Sequence, residues 1–256
     1  MTIANKKYIL GNWKLNKNNK DIVSFFKTFN KKLIKSNKLV YGFAPTYLGL
    51  ATAANLIKGQ TILMAQDVSD KLQGSFTGQV SCQQLKDLKI NYAIVGHSEA
   101  RQYLGCDDKL VNKKVLTCLA NNIHPVICIG ESLNQYNKKQ TKQVLAKQLK
   151  TIFNGVKDAN KCLIAYEPLW AIGTGKTPTL KEISALCYYI RQVIKQLFGN
   201  SVAKQLPILY GGSVNENNAL DIITLKDVDG SLIGGASLCP DKFSKIVKDL
   251  KLCLEK

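Results

Sequence analysis

The sequence predicts one α/β domain over residues 1–256, a (β/α)8 barrel of eight parallel strands with an outer ring of helices. Apolar runs typical of strands alternate with longer amphipathic segments, at intervals of roughly 20 to 40 residues. No linker, low-complexity segment or shift in composition divides the chain. Eight βα units in this length match a closed barrel better than a doubly wound sheet, which seldom has so many parallel strands.

Eight runs rich in strand formers are the candidate strands. In chain order they are Tyr8 to Trp13, Leu39 to Phe43, Thr61 to Gln66, Tyr92 to Val95, Pro125 to Ile129, Cys162 to Tyr166, Ile208 to Tyr210 and Ser231 to Ile233. Between them, three helix starts have the capping-box spacing, in which Ser or Thr precedes Glu or Gln by three positions. These pairs are Ser81 with Gln84, Thr179 with Glu182 and Ser213 with Glu216. The helix after the sixth strand carries an apolar stripe at the spacing of a helix packed on a sheet: Leu186, Tyr189, Ile190 and Val193.

Composition restricts the class of protein. The chain has 36 basic and 18 acidic side chains, a formal net charge of +18, and such an excess raises nucleic acid as a partner because lysine and arginine neutralise phosphates. The lysines are spread along the whole sequence, however, without a dense basic block interleaved with aromatics or a known nucleic-acid-binding motif. We therefore expect no nucleic-acid partner, although the charge should attract anionic metabolites.

Membrane, secretion and metal signals are weak. No apolar run approaches the roughly 18 residues of a membrane helix, and residues 1–7 lack the apolar core of a secretion signal. A cytoplasmic protein without a membrane partner is the expectation. The eight cysteines contain no C-x-x-C pair, so free thiols are expected, with Cys106 and Cys239 exposed. The two histidines lack metal-ligand spacing, so no metal is expected.

The barrel predicts where chemistry occurs. Carboxyl ends of the strands face the active site, and amino ends face the opposite, structural side. His97 follows the fourth candidate strand and His124 precedes the fifth, so a catalytic role is predicted for His97 and a structural role for His124. The same rule brings Asn12 and Lys14, after the first strand, and Glu99, after the fourth, to the site.

Glu167 directly follows the sixth candidate strand and precedes a glycine-containing loop. The carboxylate is the candidate base, and the loop suits a mobile cover that excludes water from the site. A plain connecting loop is the alternative. The run Gly175-Lys176-Thr177 mimics the end of a phosphate-binding P-loop, but that motif requires glycine where Trp170 stands. Nucleoside triphosphate binding therefore loses its local support.

Glycine pairs follow the last two strands. Their exposed backbone N–H groups, at Gly211-Gly212-Ser213 and at Gly234-Gly235, can bind phosphate. A single Gly-Gly pair is usually a turn, and Lys14 alone could be a solvated lysine. The convergence of a carboxylate, an imidazole, an amide, an ammonium and two such turns on one rim favours an active site.

Five segments that carry these residues closely resemble the signature segments of the triosephosphate isomerase family, in the same order and across the whole chain. They are residues 12–14, 95–99, 166–176, 210–214 and 234–238. The resemblance implies a homodimeric glycolytic enzyme, without metal or organic cofactor, that interconverts dihydroxyacetone phosphate and D-glyceraldehyde 3-phosphate.

The family mechanism implies a role for each matching catalytic residue. Glu167 removes a carbon-bound proton next to the carbonyl and returns it to the neighbouring carbon. His97 polarises the carbonyl as a neutral imidazole and moves protons between the oxygens, as is described for this family. Lys14 and Asn12 stabilise the negative charge of the enediolate. The segment that begins Ser98-Glu99 is a candidate for the helix whose N-terminus keeps the imidazole neutral.

The resemblance also implies how the substrate is held. A lid at residues 168–178 closes over the enediolate, excludes water and discourages loss of the phosphate. Tyr210 and Ser213 help to latch the lid, while Ser98 and Glu99 lie close to the catalytic groups. Backbone groups of four residues bind the phosphate, with added charge from Lys14: Gly173, Ser213, Gly234 and Gly235.

Residues 73–81 resemble the protruding dimer loop of the family, which implies that Thr77 reaches the active site of the partner subunit. The family usually has an acid where Gln79 stands and an arginine where Ala100 stands, and these charges can pair across the interface. Their joint absence leaves no unpaired charge and predicts a dimer held by packing and neutral hydrogen bonds at this point. Pro178 is a further departure, at the rear hinge of the lid, and predicts a narrower set of lid conformations.

Three other classes of function compete with this one. A different phosphosugar isomerase or epimerase on the same barrel would share the phosphate turns but would not need all four catalytic side chains together. A basic nucleic-acid-binding protein would bind in a strongly salt-dependent way and have no isomerase activity. An inactive interaction protein would be expected to lose a catalytic side chain, and none is missing.

Overall fold

The computed structural model describes residues 6–171 and 178–255. Eight parallel strands pair in chain order, and β1 pairs with β8 to close the barrel. The strands are β1 (Lys7–Asn12), β2 (Leu39–Ala44), β3 (Ile62–Ala65), β4 (Tyr92–Val95), β5 (His124–Ile129), β6 (Leu163–Tyr166), β7 (Ile208–Tyr210) and β8 (Gly230–Ile233). The predicted (β/α)8 barrel is confirmed, and no predicted strand boundary differs by more than one residue.

Helices follow the strands around the outside of the barrel. The described α-helices are α1 (Asn19–Phe29), α2 (Tyr47–Leu56), α3 (Cys82–Asp87), α4 (Ser98–Leu104), α5 (Asp108–Ala120), α6 (Leu133–Asn137), α7 (Thr141–Ile152), α8 (Leu180–Gln205), α9 (Ala219–Ile223) and α10 (Pro240–Leu254). Short 3-10 turns occur at Asn30–Lys32, Ala159–Lys161, Leu169–Ala171 and Gly235–Leu238. Within the described residues, no helix is long and apolar enough to cross a membrane.

Successive side chains of a strand point to opposite sides of the sheet. Both sets are apolar in these strands because both faces of the barrel wall are buried. One set fills the barrel interior, for example Leu10, Met64, Ile94 and Leu209, all buried. The alternate set packs against the helices, and the predicted stripe of α8 joins it through the buried Ile190 and other residues. With its interior filled by side chains, the barrel leaves room for a ligand only at its ends.

Two of the three predicted capping boxes are confirmed. Ser81 with Gln84 caps α3, and Thr179 with Glu182 caps α8. The prediction of a helix start at Ser213 is wrong, because α9 begins only at Ala219. Residues 215–218 instead form a turn in which the Asn218 side chain accepts the N–H of residue 215 and donates to the Ser213 carbonyl.

All eight cysteines are free, as expected. Six of them are buried, and Cys106 is one of these, with 4% of its surface exposed. The expectation of an exposed thiol at this position is therefore wrong, because the residue after the left-handed turn at Gly105 points into the core between α4 and α5. Cys239 is half-buried at the start of α10.

Candidate active site

His97 and Glu167 meet at the carboxyl end of the barrel. His97 lies beyond β4 and Glu167 directly after β6, and the imidazole Nε2 is 3.0 Å from the carboxylate Oε1. Both side chains are almost fully buried, with 7% and 2% of the residue exposed. The second oxygen, Oε2, accepts the backbone N–H of Ser98 at 3.0 Å. The predicted imidazole and carboxylate therefore share one mouth of the barrel.

Opposing influences act on the Glu167 carboxyl. Burial raises its pKa, but the neighbouring His97 and the Ser98 N–H outweigh burial and hold the pKa below its usual range. Gly211 lies against this side chain, and a Cβ there would stand 2.9 Å from Glu167 Cγ. The Glu167 carboxylate is therefore ionised, and the backbone at Gly211 leaves its side chain little room to move.

His97 is the N-cap of α4, and its Nδ1 accepts the backbone N–H of Glu99 at 3.2 Å. This bond requires the lone pair of Nδ1, so the ring proton is on Nε2 and points toward Glu167. Burial lowers the pKa of His97, whereas the Glu167 carboxylate raises it and brings the net value above the ordinary one. The predicted short helix after His97 is thus present, and its first turn orients the imidazole.

Lys14 lies on the same rim and is held by three contacts. Its Nζ is 2.7 Å from Oε1 of Glu99, its N–H donates to the Asn12 side chain at 3.0 Å, and Gln66 donates to its carbonyl at 2.8 Å. Its φ is +50°, a conformation that costs free energy for a lysine and marks a constrained position. The ammonium and the Asn12 amide therefore have fixed positions beside His97.

These side chains line a cavity of about 470 Å³ at the carboxyl ends of the strands. Both predicted glycine turns contribute to it, including Ser213 and the pair Gly234 and Gly235. A Cβ on Gly235 would meet no atom within 4 Å. The turn after β8 thus borders open space large enough for a small phosphorylated molecule.

The remaining predictions for the site concern the lid and its latch. Gly173 and most of the predicted lid lie outside the described residues. Tyr210 ends β7 and is fully buried, with its hydroxyl against Gly212 and without a hydrogen-bond partner in the described part of the chain. Pro178 is buried directly before the N-cap of α8.

Sequence reasoning missed two ionisable groups beside the site, the half-buried Arg101 and the buried Glu131. Arg101 donates to the carbonyls of Gly96 and Cys128 and pairs with Asp108, so it joins the loop after β4 to β5 and α5. Glu131 is fully buried and accepts hydrogen bonds from the Tyr166 hydroxyl and, at 2.8 Å, from Trp170 Nε1. Only the Gly130-Glu131 pair at a strand end could have indicated a role for Glu131.

His124 is the first residue of β5, at the amino end of the barrel. Its Nδ1 lies 2.9 Å from the Lys161 carbonyl and its ring packs on Tyr92. Burial lowers its pKa. These contacts agree with the structural role predicted for it. Among the described residues, no group of three His, Cys, Asp or Glu side chains is arranged to hold a metal ion.

The predicted dimer loop projects from the barrel after β3, and residues 71–79 are all exposed. Beside the active site lies a second cavity of about 670 Å³, which shares Asn12, Lys14 and His97 with the first. Large apolar side chains around it are exposed to solvent, among them Leu15 and Tyr103, at 95% and 71%. This surface is typical of one that another protein surface covers.

Comparison with known proteins assigns this geometry to one family. The triosephosphate isomerase family matches the chain over residues 7–250. A triosephosphate isomerase of Mycoplasmoides gallisepticum is 42% identical over 95% of this chain and 98% of its own length. Those of Acetivibrio thermocellus and Fusobacterium nucleatum are 40% and 42% identical over 96% and 94% of this chain, and 99% and 97% of their own lengths.

Proposed function

This chain belongs to the triosephosphate isomerase family, and on that premise we propose how its residues carry out an aldose-ketose isomerisation. The substrates are dihydroxyacetone phosphate and D-glyceraldehyde 3-phosphate, and the reaction passes through an enediolate. The observation that carries the proposal is the 3.0 Å contact between His97 and Glu167 in a cavity that also contains Lys14 and Asn12.

Glu167 is the base. It is ionised because His97 and the Ser98 N–H offset the burial that would protonate it. Both of its oxygens are engaged by these donors, so the carboxylate exchanges them for the substrate carbon when it removes the proton. Once the substrate displaces these donors, burial acts on the carboxylate without them and raises its pKa, which makes it a stronger base toward carbon.

His97 is the electrophile and proton shuttle. Its Nε2–H polarises the carbonyl, while the Glu99 N–H on Nδ1 disfavours a second proton on the ring. When the substrate displaces the Glu167 carboxylate, the interaction that raises the pKa of His97 is removed. Burial and the first turn of α4 then keep the imidazole neutral, so that it both donates and accepts during the reaction.

Lys14 and Asn12 stabilise the developing negative charge. Lys14 is fixed by Glu99 and by its own backbone conformation, so it needs little reorganisation when charge forms on the enediolate oxygen. Its ammonium also adds charge for the phosphate, which binds to backbone groups at Ser213, Gly234 and Gly235. The proposal extends phosphate binding to Gly173 and closure to the lid at residues 168–178, with Tyr210 and Ser213 as the latch.

A homodimer accompanies this activity in the proposal. The exposed loop with Thr77 of one subunit would pack into the apolar cavity beside Lys14 and His97 of the other. Thr77 of one subunit would then reach the site of the other. No cofactor, metal, nucleic acid or membrane takes part, and the cytoplasm is the proposed location.

A coupled assay that follows both directions of the isomerisation tests the proposal. Glu167→Asp shortens the base by one methylene, and a displacement of about 1 Å costs on the order of 10²-fold in kcat. Glu255→Asp, the same change at a distant carboxylate that forms the C-cap of α10, is the matched control and should keep parental activity. A parent without isomerase activity, or a Glu167→Asp variant as active as the parent, would refute the assignment of the base.

A further inference from the structure

Tyr136 connects the two ends of the segment between β6 and α8. It lies in α6, and its ring stacks on the indole of Trp170, with centroids 4.1 Å apart and planes 27° apart. Trp170 also donates to the buried Glu131 at 2.8 Å. The indole is therefore fixed on one face by a ring and at its N–H by a carboxylate, an arrangement that we name the docked position of Trp170.

The hydroxyl of Tyr136 reaches the other end of this segment. It lies near the carboxylate of Glu182 in the first turn of α8, and that negative charge adds to burial in raising the pKa of the Tyr136 phenol. The same carboxylate accepts from the Thr179 N–H at 2.7 Å and from the Thr179 hydroxyl at 2.8 Å, which caps α8. One side chain on α6 thus contacts the chain three residues after Glu167 and also the helix to which the segment returns.

We propose that Tyr136 is a positioning residue, which holds Trp170 in its docked position and links that position to the start of α8. The inference rests on the proposed function, because it concerns the movement of Glu167. With Trp170 docked, the Glu167 carboxylate is engaged by Ser98 and His97. Trp170 is three positions after Glu167, and the Leu169 N–H between them donates to the Glu131 carbonyl at 3.2 Å. A shift of this short stretch that carries Glu167 toward a substrate carbon would therefore also move Trp170, and the stack on Tyr136 would oppose it.

The size of the effect follows from the stack. An aromatic pair contributes a stabilisation that corresponds to about twofold to tenfold in an equilibrium constant. Trp170 is 8% exposed, so solvent does not replace the contact. Loss of the ring should therefore favour the state in which Trp170 has left its docked position, and lower KM for dihydroxyacetone phosphate by about twofold to tenfold, without raising kcat.

Fluorine NMR gives a direct readout that does not require turnover. The chain has two tryptophans, so fluorotryptophan labelling gives one resonance for Trp170 and one for Trp13. Trp13 is fully buried and donates to the Ser237 carbonyl, which makes it an internal reference. Tyr136→Ala should shift or broaden the Trp170 resonance alone. Tyr136→Phe keeps the ring and should retain that resonance close to its parental position.

The kinetic arm uses the same variants. Tyr136→Ala should lower KM at least about twofold, and Tyr136→Phe should have a smaller effect that matches Glu182→Gln. The KM of Tyr188→Ala, at an exposed tyrosine of α8, should be unchanged. If Tyr136→Ala does not fold, as judged by the Trp13 resonance, Tyr136→Leu takes its place. Parental KM and an unshifted Trp170 resonance in the ring-deleted variant would overturn the inference, and so would a raised KM.

Failure of this inference is separable from failure of the proposed function. Glycerol 3-phosphate lacks the carbonyl and cannot isomerise, so its titration, followed by the Trp170 resonance, reports binding alone. A parent that binds it and isomerises substrate, with Tyr136→Ala identical to the parent in both, would remove only the role of Tyr136. A parent without isomerase activity would remove the proposed function itself.

Discussion

Nε2 of His97 lies 3.0 Å from Oε1 of Glu167, although the two residues belong to different strands with β5 between them. The barrel brings them together because both stand directly beyond the carboxyl ends of their strands. Within this contact each group changes the protonation of the other, since the carboxylate raises the pKa of the imidazole and the imidazole lowers that of the carboxylate.

The contact predicts how kcat/KM depends on pH. Because the pKa of Glu167 lies below its usual range, the base is ionised through the neutral range. The pKa of His97 lies above its ordinary value, since the Glu167 carboxylate outweighs burial, so the acid limb of kcat/KM is expected where the imidazole gains a proton. In His97→Asn no imidazole titrates, so the limb should leave this range and report Glu167, whose pKa should be higher than in the parent because burial remains without the partner. Full pH profiles of both proteins measure this, and an unmoved limb in the variant would show that His97 does not set it.

Lys14 offers a test with a matched control on the same loop. Removal of its ammonium in Lys14→Ala should lower kcat/KM by about 10²-fold or more, because a fixed charge near the developing enediolate is lost. Lys17 also has a positive φ, +69°, but its ammonium lies over the ring of Trp13, 5.3 Å from the centroid. Lys17→Ala should therefore stay within about twofold of the parent. Equal losses in the two variants would contradict a specific role for Lys14.

Pro178 predicts restricted lid motion. Proline fixes its own φ and limits the residue before it, and Pro178 is buried directly before the cap of α8. Pro178→Ala should widen the range of conformations and increase the exchange contribution at the amide of Thr179. Relaxation-dispersion NMR on the purified protein measures this contribution. The same dispersion profile in the parent and in the variant would end the idea.

The neutral pair Gln79 and Ala100 predicts a weakened contact between subunits. Gln79 accepts from the Ser69 hydroxyl at 2.5 Å within its own chain, and Ala100 packs against the core. Introducing both charges together, Gln79→Glu with Ala100→Arg, should lower the Kd of the dimer, whereas either change alone leaves an unpaired charge and should raise it. Sedimentation over a range of concentrations gives the Kd. A double variant no tighter than the parent would count against the lost ion pair.

The strands and their carboxyl ends could be predicted closely, since a parallel barrel needs continuous apolar runs and places polar residues directly after them. This reasoning located Asn12, His97 and Glu167 on one rim. It was less successful in loops. Ser213 and Glu216 have capping-box spacing, yet the side chain of Asn218 organises that turn and Glu216 pairs with Lys242 instead.

Contacts between distant segments could not be predicted in the same way. Arg101 and Glu131 have hydrogen-bond partners in other βα units. Their contacts depend on three-dimensional packing, which local periodicity does not describe. The stack of Tyr136 on Trp170 is a further example, because the two rings are 34 positions apart along the chain (170 − 136 = 34).

Two of the glycines that line the cavity, Gly211 and Gly235, differ in what a side chain there would contact. A methyl group at position 211 would press on the methylene chain of Glu167, whereas one at position 235 would extend into free space. Redesign toward bulkier or smaller sugars should therefore keep glycine at position 211, because a side chain there would displace the carboxylate of Glu167, the proposed base. A side chain at position 235 would enter the space proposed for the phosphate, so a change there would act on phosphate binding and not on the shape of the sugar pocket.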